Sequence, residues 1–154
     1  MEHYTIAQTK AEYKMAAELF CMYAQWLGID LGFQHFEEEL QTLEEMYAPP
    51  TGGIILCRSG DDFIGCVAIR KITTEIAELK RMYVQPGYQH KGIGKTLLEK
   101  ALSLAKEYNY NCIRLDTLNN MLPAINLYKK YGFCGIAPYY HNPNATALYF
   151  EKKL

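Results

Sequence analysis

The strongest constraint on the fold lies in the second half of the chain, where a strand-like stretch, a glycine-containing loop and a helix-like stretch follow one another. Ile76–Val84 is the predicted strand, Pro86 and Gly87 end it, and apolar residues at helical spacing begin near Gly92. The first N–H groups of such a helix have no intrahelical partner, and its dipole makes that end positive. Gly92 and Gly94 let an anion approach the backbone. The segment therefore predicts a phosphate or pyrophosphate site, with a tight turn that binds no ligand as the alternative.

The N-terminal third is predicted to be mostly helical. A short strand covers residues 4–8, and Thr9 and Glu12 form a capping-box pattern for a first helix that ends near Gly28. Apolar residues spaced by three and four predict a second helix over residues 33–47. Its glutamates lie mostly off the apolar stripe, so we expect them to form a solvated face. These glutamates are Glu37, Glu38, Glu39, Glu44 and Glu45.

Strands dominate the middle of the chain, and strands and helices alternate after it. Strands are predicted over residues 53–58, 63–72, 76–84, 112–117 and 145–152, and helices begin near residues 92 and 121. The predicted order is β-α-α-β-β-β-α-β-α-β, with one more strand allowed around residues 136–140. A meander followed by alternation predicts one mixed α/β domain over residues 1–154.

Composition narrows the class of protein and of partner. The chain has 154 residues, 49% of them apolar and 21% charged, which is typical of one globular domain. The formal net charge of −1 argues against nucleic acid as the main partner. No apolar run approaches the roughly 20 residues that a membrane helix needs, and the N-terminus has no signal-peptide pattern. We therefore expect a cytoplasmic protein.

The cysteines give no sign of a disulfide framework or a metal site. There are five, at positions 21, 57, 66, 112 and 134, and no two form a C-x-x-C pair. Their apolar flanks predict buried, reduced thiols. The four histidines form no ligand cluster. We expect no structural metal.

Two common phosphate-binding motifs fit the glycine loop poorly. A Rossmann fingerprint needs a third glycine, but Lys95, Thr96 and Leu97 follow Gly94. A P-loop is a nearer match, because Gly94-Lys95-Thr96 supplies its ending and Asp116 resembles a Walker B aspartate. However, Gln89 stands where the first P-loop glycine belongs, and only 58 residues follow Thr96.

A third motif matches. Gln89, Gly92 and Gly94 fit the [Q/R]-x-x-G-x-[G/A] pyrophosphate loop, and residues 124–133 fit an A-x-x-L-Y-x-x-x-G-F helix. Residues 116–121 read D-T-L-x-x-M and residues 140–143 read Y-x-N-P. With these motifs the chain resembles the GNAT superfamily of acetyl-CoA-dependent N-acetyltransferases, and in particular a bacterial subgroup of small members. The resemblance covers residues 53–154, and the N-terminal helices fit by order alone.

The resemblance implies a fold and a cofactor site. GNAT proteins have a mixed, mostly antiparallel sheet of six or seven strands with flanking helices, in which two parallel central strands splay into a V that holds acetyl-CoA. Met82, Tyr83 and Val84 would contact the pantetheine arm. Asn120 would lie beside the cofactor, with helix capping as its alternative role. The pyrophosphate would bind to the segment formed by Gln89, His90, Lys91, Gly92, Ile93, Gly94, Lys95 and Thr96.

The same resemblance implies that two side chains are catalytic. Glu78 lies where some members keep a glutamate base that deprotonates the attacking amine. The alternative is a structural glutamate, since other members use water chains. Tyr128 occupies the position of the tyrosine that protonates the leaving thiolate, and a packed aromatic is its alternative. A backbone N–H near Met82 would polarise the thioester carbonyl.

The predicted function is transfer of an acetyl group to a primary amine of a small molecule or peptide. The alternatives are a catalytically inactive CoA-binding domain of the same fold and, more remotely, a small nucleotide-binding protein. The sequence does not identify the acceptor, and a homodimer is compatible with the resemblance. Aromatic side chains and a histidine that could line the acceptor pocket are Trp26, Phe33, His35, Phe36, Tyr139 and Tyr140.

Overall fold

The structure is a computed structural model that describes all residues, 1–154. It contains seven strands and five helices. The strands are β1 (Glu2–Ile6), β2 (Gly53–Ser59), β3 (Asp62–Lys71), β4 (Ile76–Val84), β5 (Cys112–Leu118), β6 (Cys134–Ile136) and β7 (Ala147–Lys153). The helices are α1 (Lys10–Leu27), α2 (Phe36–Gln41), α3 (Leu43–Met46), α4 (Ile93–Glu107) and α5 (Leu122–Lys130). None of these helices is both long enough and apolar enough to cross a bilayer.

The strands form one seven-stranded sheet in the order β1-β2-β3-β4-β5-β7-β6. Only β4 and β5 pair in parallel, and every other neighbouring pair is antiparallel. The predicted mixed, mostly antiparallel sheet of six or seven strands is therefore confirmed. The extra strand predicted around residues 136–140 lies earlier, at Cys134–Ile136, where it pairs with β7 at the sheet edge.

Each face of the sheet carries its own apolar core. The larger core packs α4 and α5 against one face and contains Leu97, Ile113 and Phe150. The smaller core packs α1 and α3 against the other face and contains Phe20 and Tyr47. This division follows from the amphipathic helices, which each bury one stripe.

The helix ends were predicted correctly where side-chain chemistry fixes them. Thr9 Oγ1 accepts the Glu12 N–H at 3.1 Å, and Glu12 Oε1 accepts the Thr9 N–H at 3.1 Å, which completes the capping box. Gly28 caps α1 with φ of 75°, and Gly132 follows α5 with φ of 91°. Both angles lie in the left-handed region that glycine tolerates best.

The predicted second helix is broken into shorter pieces. A 3₁₀ turn at Gly32–Gln34 precedes α2, and His35 between them has φ of 56°. Thr42 separates α2 from α3 with φ of −124°, and its hydroxyl donates to the Glu38 carbonyl at 2.8 Å. Apolar spacing continues across both breaks, which explains why periodicity alone predicted one helix.

The solvated face predicted for the glutamates is wrong at one position. Glu37, Glu38, Glu44 and Glu45 are exposed. Glu39 is only 2% exposed, because both of its carboxylate oxygens accept hydrogen bonds from the Arg81 guanidinium, at 2.8 and 3.1 Å.

The cysteines are all free, as predicted, but not all buried. Cys57 and Cys66 are buried, whereas Cys21 and Cys134 are exposed. Apolar flanks did not reveal this difference because one residue of an apolar stretch can still face solvent.

Candidate active site

The central feature of the site is the gap between β4 and β5. Their last paired residues are Glu78 and Arg114. Beyond that pair β5 continues along β7 to Leu118, while β4 stays on β3, so the two parallel strands splay apart. The predicted V is therefore present, and it leaves one edge of β4 without a neighbouring strand.

A bulge in β4 lies beside this gap. Cys66 pairs with Tyr83 and Ala68 pairs with Lys80, so that Arg81 and Met82 together oppose a single residue of β3. Arg81 has φ of 59°. Such a bulge bends the strand and changes the direction of its side chains. Here it buries Arg81 on the α2 side of the sheet, and Met82 faces the groove described next.

The loop before α4 presents a row of unpartnered backbone donors. The N–H groups of residues 90–95 donate to no protein acceptor, and the first helical bond runs from Thr96 N–H to the Gly92 carbonyl at 3.1 Å. His90 and Gly92 have φ of 65° and 81°. The Gln89 side chain donates to the Val84 carbonyl at 3.0 Å and ties the loop to β4. Six free donors at the positive end of a 15-residue helix suit a pyrophosphate.

A groove of about 290 Å³ runs from this loop along β4 to α5. Its lining is mostly apolar, as expected of a ligand site with a few polar anchors. Of the predicted cofactor residues, Met82, Tyr83, Val84, Gln89, His90, Ile93, Gly94 and Asn120 line it. Lys91, Gly92, Lys95 and Thr96 lie outside the lining. Lys91 Nζ stacks instead over the Tyr88 ring, 5.5 Å from its centroid.

The groove leads to a small chamber of about 60 Å³ inside the V. Met82, Met121 and Ala124 line both spaces, so the two adjoin. Tyr128 lines the chamber from α5, and its ring packs on Phe133 with centroids 5.6 Å apart. Its hydroxyl has no hydrogen-bond partner in the protein. Every fully buried side-chain oxygen or nitrogen has a partner, so this hydroxyl is not fully buried. The hydroxyl therefore faces the chamber, and burial raises the pKa of this phenol.

A third space, which we call the vestibule, also adjoins the chamber. It has a volume of about 370 Å³, and it shares Phe33, Gln34 and Lys80 with the chamber. Glu78 lies here and not in the chamber. Both of its oxygens are engaged: Oε1 accepts from Arg70 Nε at 2.8 Å, and Oε2 accepts from the Tyr139 hydroxyl at 2.6 Å. The structure thus separates the two predicted catalytic side chains.

The six side chains suggested for an acceptor pocket divide between three places. Phe33, His35, Tyr139 and Tyr140 line the vestibule. Trp26 lines the groove and contacts Tyr83, with ring centroids 5.7 Å apart. Phe36 packs against the Arg81 guanidinium at 5.3 Å.

A polar network that no sequence pattern predicted joins these spaces. Arg81 pairs with Glu39 and donates through Nη1 to Gln34 Oε1 at 2.7 Å. Gln34 Nε2 donates to the Tyr140 hydroxyl oxygen at 2.7 Å, and that hydroxyl donates to Asp116 Oδ2 at 2.5 Å. The only sequence features that pointed to this network were the D-T-L and Y-x-N-P motifs. They contain Asp116 and Tyr140, which are in contact here. No cluster of three or more His, Cys, Asp or Glu side chains is arranged to hold a metal ion.

A parallel strand pair opens beside a helix N-terminus with unpartnered N–H groups, which is the arrangement that the sequence resemblance implies for an acyl-CoA-dependent transferase. Comparison with known proteins gives the family: the acetyltransferase (GNAT) family model matches residues 17–133. The chain is 34% identical, over 86% of its length and 82% of the relative, to an uncharacterized N-acetyltransferase of Schizosaccharomyces pombe. The chain belongs to the GNAT family of acetyltransferases, and the predicted enzyme class is confirmed.

Solved structures agree in fold. A GNAT-family acetyltransferase of Staphylococcus aureus superposes with a TM-score of 0.82 at 21% identity, covering 99% of both chains. The PaiA N-acetyltransferase of Thermoplasma acidophilum, in complex with coenzyme A, superposes with a TM-score of 0.73 at 20% identity, again over 99% of both chains.

Proposed function

We propose that this chain, acting as one domain over residues 1–154, transfers an acetyl group from acetyl-CoA to a primary amine of a small molecule or peptide. The observation that carries the proposal is the continuity of three spaces. Six free backbone donors open onto a groove, the groove leads to a chamber with a free tyrosine hydroxyl, and the chamber adjoins a polar vestibule. The five free thiols support a cytoplasmic setting, where thiols stay reduced.

The groove would hold the coenzyme. The N–H groups of residues 90–95 would bind its pyrophosphate, and the free edge of β4 from Met82 to Val84 would hydrogen-bond the pantetheine arm as an added strand does. The structure of a similar fold from Thermoplasma acidophilum, which contains coenzyme A, supports this assignment. Acetyl-CoA supplies an activated acyl group as a thioester. The groove residues orient that thioester at the mouth of the chamber.

Tyr128 is the proposed acid. Its hydroxyl donates to no protein atom and faces the chamber, so it is free to donate to the sulfur as the C–S bond breaks. The raised pKa, which burial causes, keeps the phenol protonated at neutral pH. A packed aromatic with no catalytic role would have no need to direct an unpartnered hydroxyl into a cavity.

Glu78 is the proposed base. Its carboxylate lies in the vestibule, through which an acceptor amine would reach the chamber. Arg70 Nε and Lys80 Nζ lie 2.8 and 3.9 Å from its Oε1. The Tyr139 hydroxyl fixes its orientation.

A cofactor comparison followed by a turnover screen tests the proposal. Acetyl-CoA should raise the melting temperature in proportion to the logarithm of its concentration, while ATP should leave it unchanged. Release of free thiol from acetyl-CoA should then depend on an added amine. Stabilisation by acetyl-CoA with no turnover over a broad amine panel would indicate the inactive CoA-binding alternative. Stabilisation by ATP alone would indicate a nucleotide-binding protein.

A further inference from the structure

One carboxylate in the chamber takes no part in the proposed acetyl transfer. Asp116 lies on β5 two residues beyond the last pair with β4, and it lines the chamber together with Tyr128. Three neutral groups hold it through a single oxygen. Oδ2 accepts from the Tyr140 hydroxyl at 2.5 Å, from Asn142 Nδ2 at 3.4 Å and from Gln34 Nε2 at 3.5 Å.

The other oxygen is free. Oδ1 accepts no hydrogen bond from the protein. Because every fully buried side-chain oxygen has a partner, Oδ1 is not fully buried, and it is open to the chamber that Asp116 lines. Tyr140 and Asn142 belong to the Y-x-N-P segment, and Asp116 begins the D-T-L segment. The contact between these two motifs therefore fixes one carboxylate in one orientation.

Asp116 also lacks a counterion. The other two carboxylates of the region are paired: Glu39 with Arg81 at 2.8 Å, and Glu78 with Arg70 at 2.8 Å. No basic group lies within 4.0 Å of Asp116. Lys80 and Arg81 influence its charge from farther away, but each is already close to a glutamate. A desolvated carboxylate without a cation is costly, and burial raises its pKa accordingly.

We propose that Asp116 binds the protonated amino group of the acceptor, with Oδ1 accepting a hydrogen bond from the ammonium nitrogen. This inference rests on the proposed function and names the substrate class of that site. The ammonium group supplies the missing counterion when the acceptor first binds, and its proton passes to Glu78 before the neutral amine attacks. Gln34, Tyr140 and Asn142 are positioning residues that hold the carboxylate toward it. Because the chamber of about 60 Å³ admits only a few water-sized groups, the acceptor is an unhindered primary alkylamine.

Kinetics with a cationic and a neutral amine test the binding role. Asp116→Asn keeps an oxygen for the three donors and removes the charge. With 2-phenylethylamine, which is a cation at neutral pH, KM should rise at least about tenfold. With 2,2,2-trifluoroethylamine, a primary alkylamine that its fluorines keep neutral there, KM should change less than about threefold, and acetyl-CoA affinity should not change. Asp61→Asn, at an exposed turn, is the matched control and should change KM for neither amine. Equal changes for both amines would overturn the proposal.

Tyr140→Phe tests the positioning role. It removes the 2.5 Å hydrogen bond to Asp116 and keeps the ring. KM for 2-phenylethylamine should rise, by less than in Asp116→Asn, while KM for 2,2,2-trifluoroethylamine stays unchanged. An unchanged KM for 2-phenylethylamine would show that Tyr140 does not position Asp116, which would contradict the proposal.

A thermal comparison needs no acceptor and separates this inference from the proposed function. If Asp116 is an unpaired charge in the ligand-free protein, Asp116→Asn should raise the melting temperature of that protein by about 2–4 °C, because it removes the charge. If Asp116 is instead a structural anchor, the same change should lower it by a similar amount, which overturns the proposal. A wild-type protein that fails to bind acetyl-CoA would contradict the proposed function and leave this thermal result standing on its own.

Discussion

At the scale of single residues, Tyr128 combines a fixed ring with a free hydroxyl. The ring packs against Phe133, the residue is only 5% exposed, and the hydroxyl faces the chamber. In such a place a departing thiolate is poorly solvated, because a dry cavity penalises charge. A nearby donor lowers that penalty in the transition state more than in the bound substrate, which is the condition for catalysis.

Tyr128→Phe should therefore lower turnover by roughly 10- to 10³-fold and leave acetyl-CoA affinity nearly unchanged. Because burial raises the pKa of the phenol above its ordinary value of about 10, the wild-type rate should not fall below pH 10 through loss of this proton. The measurement is a pH–rate profile under conditions where chemistry limits the rate. Tyr131→Phe, at the C-cap of α5, is the control. Wild-type turnover in the Tyr128 variant would demote the residue to a packed aromatic.

Glu78→Gln addresses the base. Turnover should drop roughly 10²-fold below pH 8 and recover at high pH, where the attacking alkylamine is already neutral. Glu75→Gln, three residues earlier and exposed, should have no effect. Glu78 also pairs with Arg70, so a loss that is equal at every pH would assign it a structural role.

At the scale of elements, the start of α4 carries the cofactor assignment. An ideal Cβ at Gly94 would contact Val84 Cγ2 at 4.0 Å, which is ordinary packing, so a small side chain fits there. A long charged one would extend into the groove, because both residues line it. The element therefore tolerates substitution for folding far better than for binding.

Gly94→Glu should abolish acetyl-CoA binding while the protein stays folded. A glutamate at this position fills space and brings negative charge to a site built for an anion. Calorimetric titration measures the affinity, and circular dichroism measures the fold. Gly87→Ala is the matched control, because it lies in the same loop, has open space around its Cβ and lies outside the groove lining. Unchanged affinity in Gly94→Glu would contradict the loop assignment.

At the scale of the whole molecule, the Glu39–Arg81 pair joins the N-terminal helices to the sheet. It spans 42 positions in the chain, and both side chains are nearly inaccessible. Burial alone would raise the pKa of Glu39, but hydrogen bonds and charge from Arg81, with help from Lys80 and Tyr47, lower it overall. Through Gln34 the same guanidinium reaches the Asp116 assembly, so the pair supports both stability and the site.

Glu39→Gln should destabilise the protein by about 3 kcal/mol, because it leaves Arg81 buried without a counterion. The folded-state pKa of Glu39 is lowered, so its contribution is complete above the unfolded pKa of about 4.3 and is lost as the pH falls through the lower folded value. The stability gap between wild type and variant should thus be constant above about pH 5 and narrow in acid. Urea unfolding at several pH values measures it.

The double variant Glu39→Leu/Arg81→Met is the control for this pair. Replacing both ions by apolar groups should recover much of the stability lost in Glu39→Gln. A Glu39→Gln variant as stable as wild type at neutral pH would show that the pair contributes nothing to folding.

The sequence by itself determined the features that depend on neighbouring residues. Thr9 with Glu12, Gly28 and Gly132 set helix ends, because caps and left-handed turns are satisfied within a few positions. The glycine loop before α4 and the Tyr128 motif are also local patterns. They led to the family and to a sheet with a splayed parallel pair, both of which are confirmed.

Only the tertiary structure decided the features that join distant segments. Periodicity could not tell that Glu39 turns inward, because its partner Arg81 lies 42 positions away on a bulged strand. It could not separate Glu78 from Tyr128, since the vestibule and the chamber exist only once the 3₁₀ turn at Gly32–Gln34, β4, β5, α5 and the loop after β6 have packed together. Nor could it find the free oxygen of Asp116. Whether a charged side chain has a counterion depends on which groups folding places near it, and those groups come from distant parts of the chain.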